Sequence, residues 1–376
     1  MALFDLAPKE TAGELFGRER ELAELRRLVE AHRWVVVLGP RMVGKTSLVK
    51  AVRNRLGLPG AYVNLWGVRT VSGLVEGLIA GLNESASLRS RLARAAQRVE
   101  GFAVGPGGFS LTASRRPLKS AWDLLNLLGT EPGSCLVVLD EVQELSANAG
   151  ALLKLLGNLF NSRPKLGFIF TGSRIGLVRT LLEPTTSSPL FGRAPVAFPL
   201  GPFDRSTSER FLLRGAKESS VPLNPADLAR ALDGPLDGTP GWLTLYGNHL
   251  AVRRLSPESA LKETIREGKK VAESELAHFF GSHDVPLYWA ALKSAALGAS
   301  WVTIRESMDR ATGGPVNDGA VQRVLQALEA GALLRRTEGR YELVDPMVRV
   351  YVSEATRPPA RERWPRSRRY HAKATR

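Results

Sequence analysis

Cysteine is almost absent. The single example, Cys135, excludes an intrachain disulfide, and such usage fits a reducing, cytoplasmic setting. It lies in the apolar run Cys135–Leu139, where a thiol behaves as a small buried hydrophobe. Long apolar runs are missing too, and no stretch approaches the roughly 18 residues that cross a bilayer. Met1–Glu10 has no basic stretch leading into an apolar one, so no signal peptide is expected. The five histidines, His32, His249, His278, His283 and His371, show no metal-ligand spacing. No Ser/His/Asp or Cys/His constellation is evident. Acidic residues are in deficit, with 37 Asp and Glu against 52 Lys and Arg, for a net charge of +15. Arg357–Arg376 alone carries +7, leaving +8 for the rest of the chain. That excess points to a polyanionic partner, nucleic acid first and an acidic membrane surface second. A solvated basic tail with no dedicated partner is the alternative.

What is present is an ordinary globular composition, 44% apolar and 24% charged over 376 residues, enough for two or three packed domains. Residues 14–31 read as a turn and an amphipathic helix, with Leu22, Leu25, Leu28 and Val29 at helical spacing. Trp34–Leu38 follows as an all-apolar strand of the kind buried on both faces of a parallel sheet. A Gly-rich turn at 39–44 leads into a helix from Lys45 to about Leu56. Further strands are expected at Ala61–Leu65, Cys135–Leu139, Leu166–Thr171 and Pro195–Leu200, alternating with helices that include a long one to about Val99, 118–128 and 151–160. Phe102–Ala113 alternates around Gly105–Gly108 and predicts an inserted β-hairpin at about 100–114. No Lys or helix follows those glycines, so they read as a hairpin turn rather than a phosphate loop. The alternation predicts a doubly wound, parallel α/β domain. Beyond Gly201-Pro202 the chain is mostly helical, predicting a lid. Helices at about 286–297, 302–311 and 318–330, then a hairpin of Leu333–Thr337 and Arg340–Val344, predict a winged helix-turn-helix. The expected division is core 14–202, lid 203–284, winged helix 285–356 and a disordered basic tail 357–376.

Gly39-Pro40-Arg41-Met42-Val43-Gly44-Lys45-Thr46 fits G-x-x-x-x-G-K-[ST] without departure, between a strand and a helix. Glycines let backbone N–H groups wrap phosphate oxygens, and the helix N-terminus favours negative charge. Lys45 is expected on the β- and γ-phosphates and the Thr46 hydroxyl on Mg²⁺, with Ser47 in the nucleotide-binding set. Arg41 lies in the loop, read as facing solvent. Asp140-Glu141 ends an apolar strand, where parallel sheets place their ligand crevice. Asp140 is expected to hold Mg²⁺ through water, and Glu141 to orient and polarise the attacking water. Arg174 and Arg193 are candidates to stabilise transition-state charge, Arg193 by projecting into a neighbouring subunit of an oligomer. The chain has no Asn-Lys-x-Asp guanine-reading motif, which favours ATP over GTP.

These pieces together resemble the archaeal ATPases related to AAA+ and STAND proteins. The matching segments are LFGRERELAEL, VVVLGPRMVGKTSLVKA, CLVVLDEVQEL, FIFTGSRIGLV, SPLFGR, PFD, GTPGWLTLYG and YELVDPMVRVYV. The resemblance implies a P-loop NTPase core, a helical lid and a C-terminal winged helix. It implies an adenine-side role for Gly17 and Arg18, a sensor role around Thr171–Arg174 and a lid contact to nucleotide at Pro240. Many relatives carry a second Ser where Arg174 stands, so Arg174 is either a γ-phosphate sensor or incidental. The resemblance implies a nucleotide-driven ATPase switch with a protein partner that it does not name. The alternative is an ATP-regulated DNA-binding protein. Its reading helix would present Gln322, Arg323 and Gln326, and its wing Arg335, Arg336 and Arg340 to phosphates.

Overall fold

The computed structural model describes residues 2–84, 102–105, 108–111, 116–172, 177–236, 238–282 and 284–360. The expected continuation of a helix to Val99, residue Arg174, and the basic tail beyond residue 360 lie outside them. The chain divides into two compact units, Met1–Ala260 with Ala330–Ala332, and Leu261–Glu329 with Leu333–Arg376. The division falls inside a long helix, Pro257–Phe279, within the segment expected to form the lid.

In the first unit, α1 (Glu19–Glu30) precedes β1 (Val35–Leu38), and α2 (Lys45–Leu56) precedes β2 (Gly60–Asn64). Then come α3 (Val71–Asn83), the hairpin β3 (Phe102–Gly105) and β4 (Gly108–Leu111), and α4 (Pro117–Leu128). β5 (Cys135–Asp140) runs into a 3-10 turn, Val142–Asn148, and α5 (Ala149–Ser162). β6 (Leu166–Gly172), α6 (Leu177–Leu182) and β7 (Val196–Pro199) complete the core. Its five strands are all parallel, in the order β2-β5-β6-β1-β7.

Strand alternation explains how uniformly apolar strands serve two layers. Val36, Val63, Val137, Leu139, Phe168 and Phe170 pack with α3, α4 and α5. Their neighbours Val35, Val37, Leu136, Val138 and Ile169 pack with α1 and α2. Cys135 is buried among the first set. The order places β6 between β1 and β5, so the ends of these three strands open side by side at one edge of the sheet.

The unit ends in three helices within the segment expected to form the lid, α7 (Arg205–Glu218), α8 (Pro225–Leu232) and α9 (Pro240–Ala251). Asp204 caps α7 by accepting from Thr207 N at 2.6 Å, a bond that holds its carboxyl below the usual range. Asn224 caps α8 in the same way, from Asp227 N at 2.8 Å.

The second unit takes up the long helix, α10 (Pro257–Phe279), and continues through α11 (Val285–Ala295), β8 (Ala299–Ser300), α12 (Trp301–Thr312) and α13 (Asp318–Ala330). It closes with β9 (Leu334–Thr337), β10 (Arg340–Leu343) and α14 (Pro346–Glu354). Three helices, α11 to α13, precede the hairpin of β9 and β10, and β8 adds a third antiparallel strand beside β10. Phe280, Trp289, Leu292, Ile304, Met308, Leu325 and Leu343 form its core. No helix among the described residues is long and apolar enough to cross a membrane.

Candidate active site

β1 stops at Leu38 and α2 starts at Lys45, so the turn between them is short and strongly curled. Met42 (φ 62) and Gly44 (φ 95) are both left-handed. Such curls turn successive N–H groups inward and make anion-binding concavities. Gly44 caps α2 with no side-chain hydrogen bond to the helix N-terminus. The Lys45 side chain is buried within the loop, its ammonium donating to Gly39 O at 2.8 Å and Pro40 O at 2.9 Å.

The carboxylates arrive from β5. Asp140 is 2% exposed and accepts from three hydroxyls. Thr46 donates to Oδ2 at 2.8 Å, Tyr62 to the same oxygen at 2.5 Å, and Thr171 to Oδ1. Burial, reinforced by the charge and hydrogen bond of Asp140, raises the Tyr62 hydroxyl far above its ordinary pKa. Thr171, at the end of the intervening strand β6, also accepts from Glu141 N at 2.9 Å. One threonine therefore fixes both members of the acidic pair. Glu141 is left-handed (φ 58), and its Oε2 accepts from Gln143 Nε2 at 2.5 Å. A non-glycine residue in that region stores roughly 1–3 kcal/mol, which functional sites often carry.

The first turn of α9 meets the loop directly. Gly241 N donates to Met42 O at 2.8 Å, and a Cβ on Gly241 would lie 2.8 Å from that of Met42. Only glycine allows α9 this close. Arg18 is 6% exposed and bridges several elements. Its guanidinium donates to Gly201 O at 2.7 Å and Val43 O at 3.3 Å, pairs with Glu21 at 2.7 Å and lies 4.6 Å from the Phe203 ring centroid. Gly17, beside it, is left-handed and packs against Thr207 of α7.

These groups surround a cavity of about 320 Å³, lined by Arg41 through Ser47, Glu141, Arg18, Phe203, Pro240 and Gly241. The structure thus brings together the loop, the acidic pair, Arg18 and Pro240. Arg41 lies 4.5 Å from the Trp66 ring centroid. Arg193 is exposed, donates to Asn161 Oδ1 and sits over the Phe160 ring, and it does not line this cavity. Sequence reasoning missed Tyr62, Gln143 and Gly241, and it missed the segment from Leu3 to Lys9, which also lines the cavity.

In the second unit, Gln322, Arg323 and Gln326 are exposed on α13, at the spacing of one helix face. Arg335, Arg336 and Arg340 are engaged within the unit. Arg335 pairs with Glu342 at 3.3 Å, Arg336 sits over Tyr341, and Arg340 donates to Gly298 O at 2.5 Å.

A family described as an ATPase domain predominantly from Archaea matches residues 15–243. The structure of the Walker-type ATPase Paby2304 of Pyrococcus abyssi is similar at a TM-score of 0.75 and 27% identity, covering 93% of this chain and 99% of that one. The ORC2 protein of Aeropyrum pernix, solved as ADPNP-ADP complexes, shares the fold at a TM-score of 0.59 and 16% identity, covering 94% and 95%. No curated protein sequence matches this chain. The match across residues 15–243 encloses both the phosphate loop and the acidic strand end, and the chain belongs to this predominantly archaeal ATPase family and is an ATPase.

Proposed function

We propose that the protein is a nucleotide-driven switch of the AAA+ and STAND kind, in which hydrolysis of ATP at the loop is transmitted through the lid to a winged-helix module that meets a protein partner. The observation that carries this reading is the hydrogen bond from Gly241 N to Met42 O, which starts a lid helix on the phosphate loop. Phosphate held by the loop would change the position of Met42, and α9 would follow it.

The residues fit a magnesium nucleotide. The Thr46 hydroxyl and the Asp140 carboxylate are hard oxygen donors 2.8 Å apart, suited to an ion that keeps waters and phosphate oxygens as its other ligands. When bound, Mg²⁺ neutralises phosphate charge. Lys45 does the same for the β- and γ-phosphates, and the loop N–H groups orient them. Glu141, held at its backbone by Thr171, orients a water and draws its proton during attack on the γ-phosphorus.

Hydrogen exchange tests the switch. Helices α7 to α9 should differ in protection between a slowly hydrolysed ATP analogue and ADP, and the difference should vanish in Lys45→Ala. Equal protection in the two nucleotide states would rule out transmission through the lid.

The second reading is an ATP-regulated duplex DNA binder. It is supported by the exposed trio Gln322, Arg323 and Gln326, a face able to reach base edges. The internal engagement of Arg335, Arg336 and Arg340 favours protein contact over phosphate contact. We further place Arg193, beside the exposed Phe191, at a contact between copies of the chain, where it would act in trans. The boundaries proposed are those of a core at 14–202, lid at 203–284, winged helix at 285–356 and basic tail at 357–376.

A further inference from the structure

The cavity has a wall that neither the loop nor the lid supplies. Leu3 and Asp5 through Lys9 line it, ahead of the stretch shared with the family. This segment is fastened at two ends. At one end Phe4 is 2% exposed and seated between lid helices α7 and α9. A Cβ built on Gly215 or on Gly247 would come within 2.2 Å of its ring, so two glycines form the notch that receives it. Phe211 lies against it with ring centroids 5.9 Å apart, and Asn248 Nδ2 donates to Phe4 O at 3.0 Å. At the other end Lys9 N donates to Ser47 Oγ at 3.1 Å, one residue past Thr46 of the loop. Glu10 then pairs with Lys50 of α2 at 2.9 Å.

Between these anchors Leu6, Ala7 and Pro8 stay exposed, Leu6 at 56%. They line the same cavity as Leu15, Phe16, Phe203 and Phe211. A purine needs a largely apolar slot, and the loop already claims the phosphates at the other end. The attachment at Ser47 puts the segment alongside the sugar and base of a nucleotide held by that loop. Because Phe4 belongs to the lid's packing while Lys9 belongs to the loop helix, the lid cannot move off the core without unseating Phe4 or dragging the segment with it.

We propose that residues Leu3–Lys9 are a nucleotide-binding element of this ATPase, forming the base-side wall of the site, with Phe4 as the latch that governs release of adenine nucleotide. The proposal rests on the assignment of this cavity to ATP. It predicts that the latch acts on the dissociation rate, where most affinity differences between related complexes lie.

The test is release of a fluorescent ADP analogue from the full chain, followed by stopped flow. Phe4→Ala empties the notch, and Gly247→Ala fills it from the other side. The second change ordinarily favours a helix, so faster release cannot be put down to a weakened α9. Each should speed release roughly tenfold or more, and the double variant should release no faster than the faster single one, because both break one contact. Leu6→Ser, at an exposed position, should weaken ADP binding roughly threefold or more through lost apolar contact. Release at the wild-type rate in both single variants, or multiplicative effects in the double, overturns the latch. Unchanged affinity in Leu6→Ser overturns the wall. Lys45→Ala separates the two levels of the argument. If wild type binds no nucleotide, or Lys45→Ala binds it equally well, the ATP assignment itself fails. If wild type binds, Lys45→Ala does not, and the other variants match wild type, only the proposal about this segment fails.

Discussion

Tyr62→Phe removes one oxygen and leaves a ring of the same shape, which makes it a clean probe of the carboxylate network. The lost bond is an O–H···O contact of 2.5 Å to an Asp140 side chain that is 2% exposed. Hydrogen bonds to charged groups contribute about 1.5–3 kcal/mol, and removing one partner of a buried pair forfeits most of that. Asp140 keeps Thr46 and Thr171, so the expected loss sits near the lower end, about 1.5–2 kcal/mol at pH 7. Urea unfolding of the full chain, read at the transition of the ATPase unit, measures it.

The pH dependence gives this prediction a second edge. In the folded chain the Tyr62 proton is retained well above the pH of about 10 at which an unfolded tyrosine loses it. A group whose folded pKa is raised contributes stability that is complete below the unfolded pKa and lost as pH rises beyond it. The gap between wild type and Tyr62→Phe should therefore be flat from pH 7 to about 9.5. Above pH 10 it should shrink by up to about 1.4 kcal/mol per pH unit, the value for one proton. The other tyrosines are common to both proteins and cancel. A gap below about 0.5 kcal/mol at pH 7, or one that widens in alkali, would refute the reasoning.

Glu141→Gln should keep ATP binding and lose turnover by roughly a hundredfold or more, since the group acts on water and not on bound ATP; phosphate release and equilibrium binding measured together check it. Gly241→Ala should push α9 off the loop, because its Cβ meets Met42 Cβ and O at 2.8 and 2.9 Å; a loss of about 1–3 kcal/mol in unfolding, with slower hydrolysis, is expected. If Arg193 acts in trans, specific activity should rise with protein concentration, and mixing Arg193→Ala with Lys45→Ala should restore part of it. Deleting Arg357–Arg376 should lower affinity for duplex DNA and flatten its salt dependence without changing sequence preference, measured by anisotropy across a salt series. Replacing Gln322, Arg323 and Gln326 should relax sequence discrimination instead, and absence of duplex binding at low salt would remove the DNA reading altogether.

The parts of this molecule that were legible in its sequence are those set by local pattern. The all-apolar β1, the loop after it and the apolar run ending in Asp140-Glu141 each announce themselves within a dozen residues. The hairpin at 102–111 followed from period alone. Tyr62 could not be found this way. A tyrosine in a strand is an ordinary β-former, and it reaches Asp140 only because β2 pairs with β5, with Asn64 opposite Asp140. Phe4 is a similar case. It stands in a short segment with no periodicity, and its notch is built from two glycines more than two hundred residues downstream. Glycine within a helix normally reads as a weak position, not as a socket. β8, two residues long, is shorter than any pattern a sequence can display.

The position of β6 has a consequence for how such a chain can vary. Thr46 and Asp140 are 94 positions apart, yet their oxygens meet at 2.8 Å. That meeting is set by the width of one intervening strand, a quantity about 4.8 Å per step that no substitution in a connecting loop can alter. The crossover from β2 to β5 is thus free to gain or lose material. Lengthening it twofold costs only about 0.6 kcal/mol of closure entropy. It already carries two helices, α3 and α4, and the hairpin β3–β4 between the two strands. The geometry of catalysis is stored transversely, across the sheet, while the length of the chain is spent along the outside, where drift in size leaves the chemistry untouched.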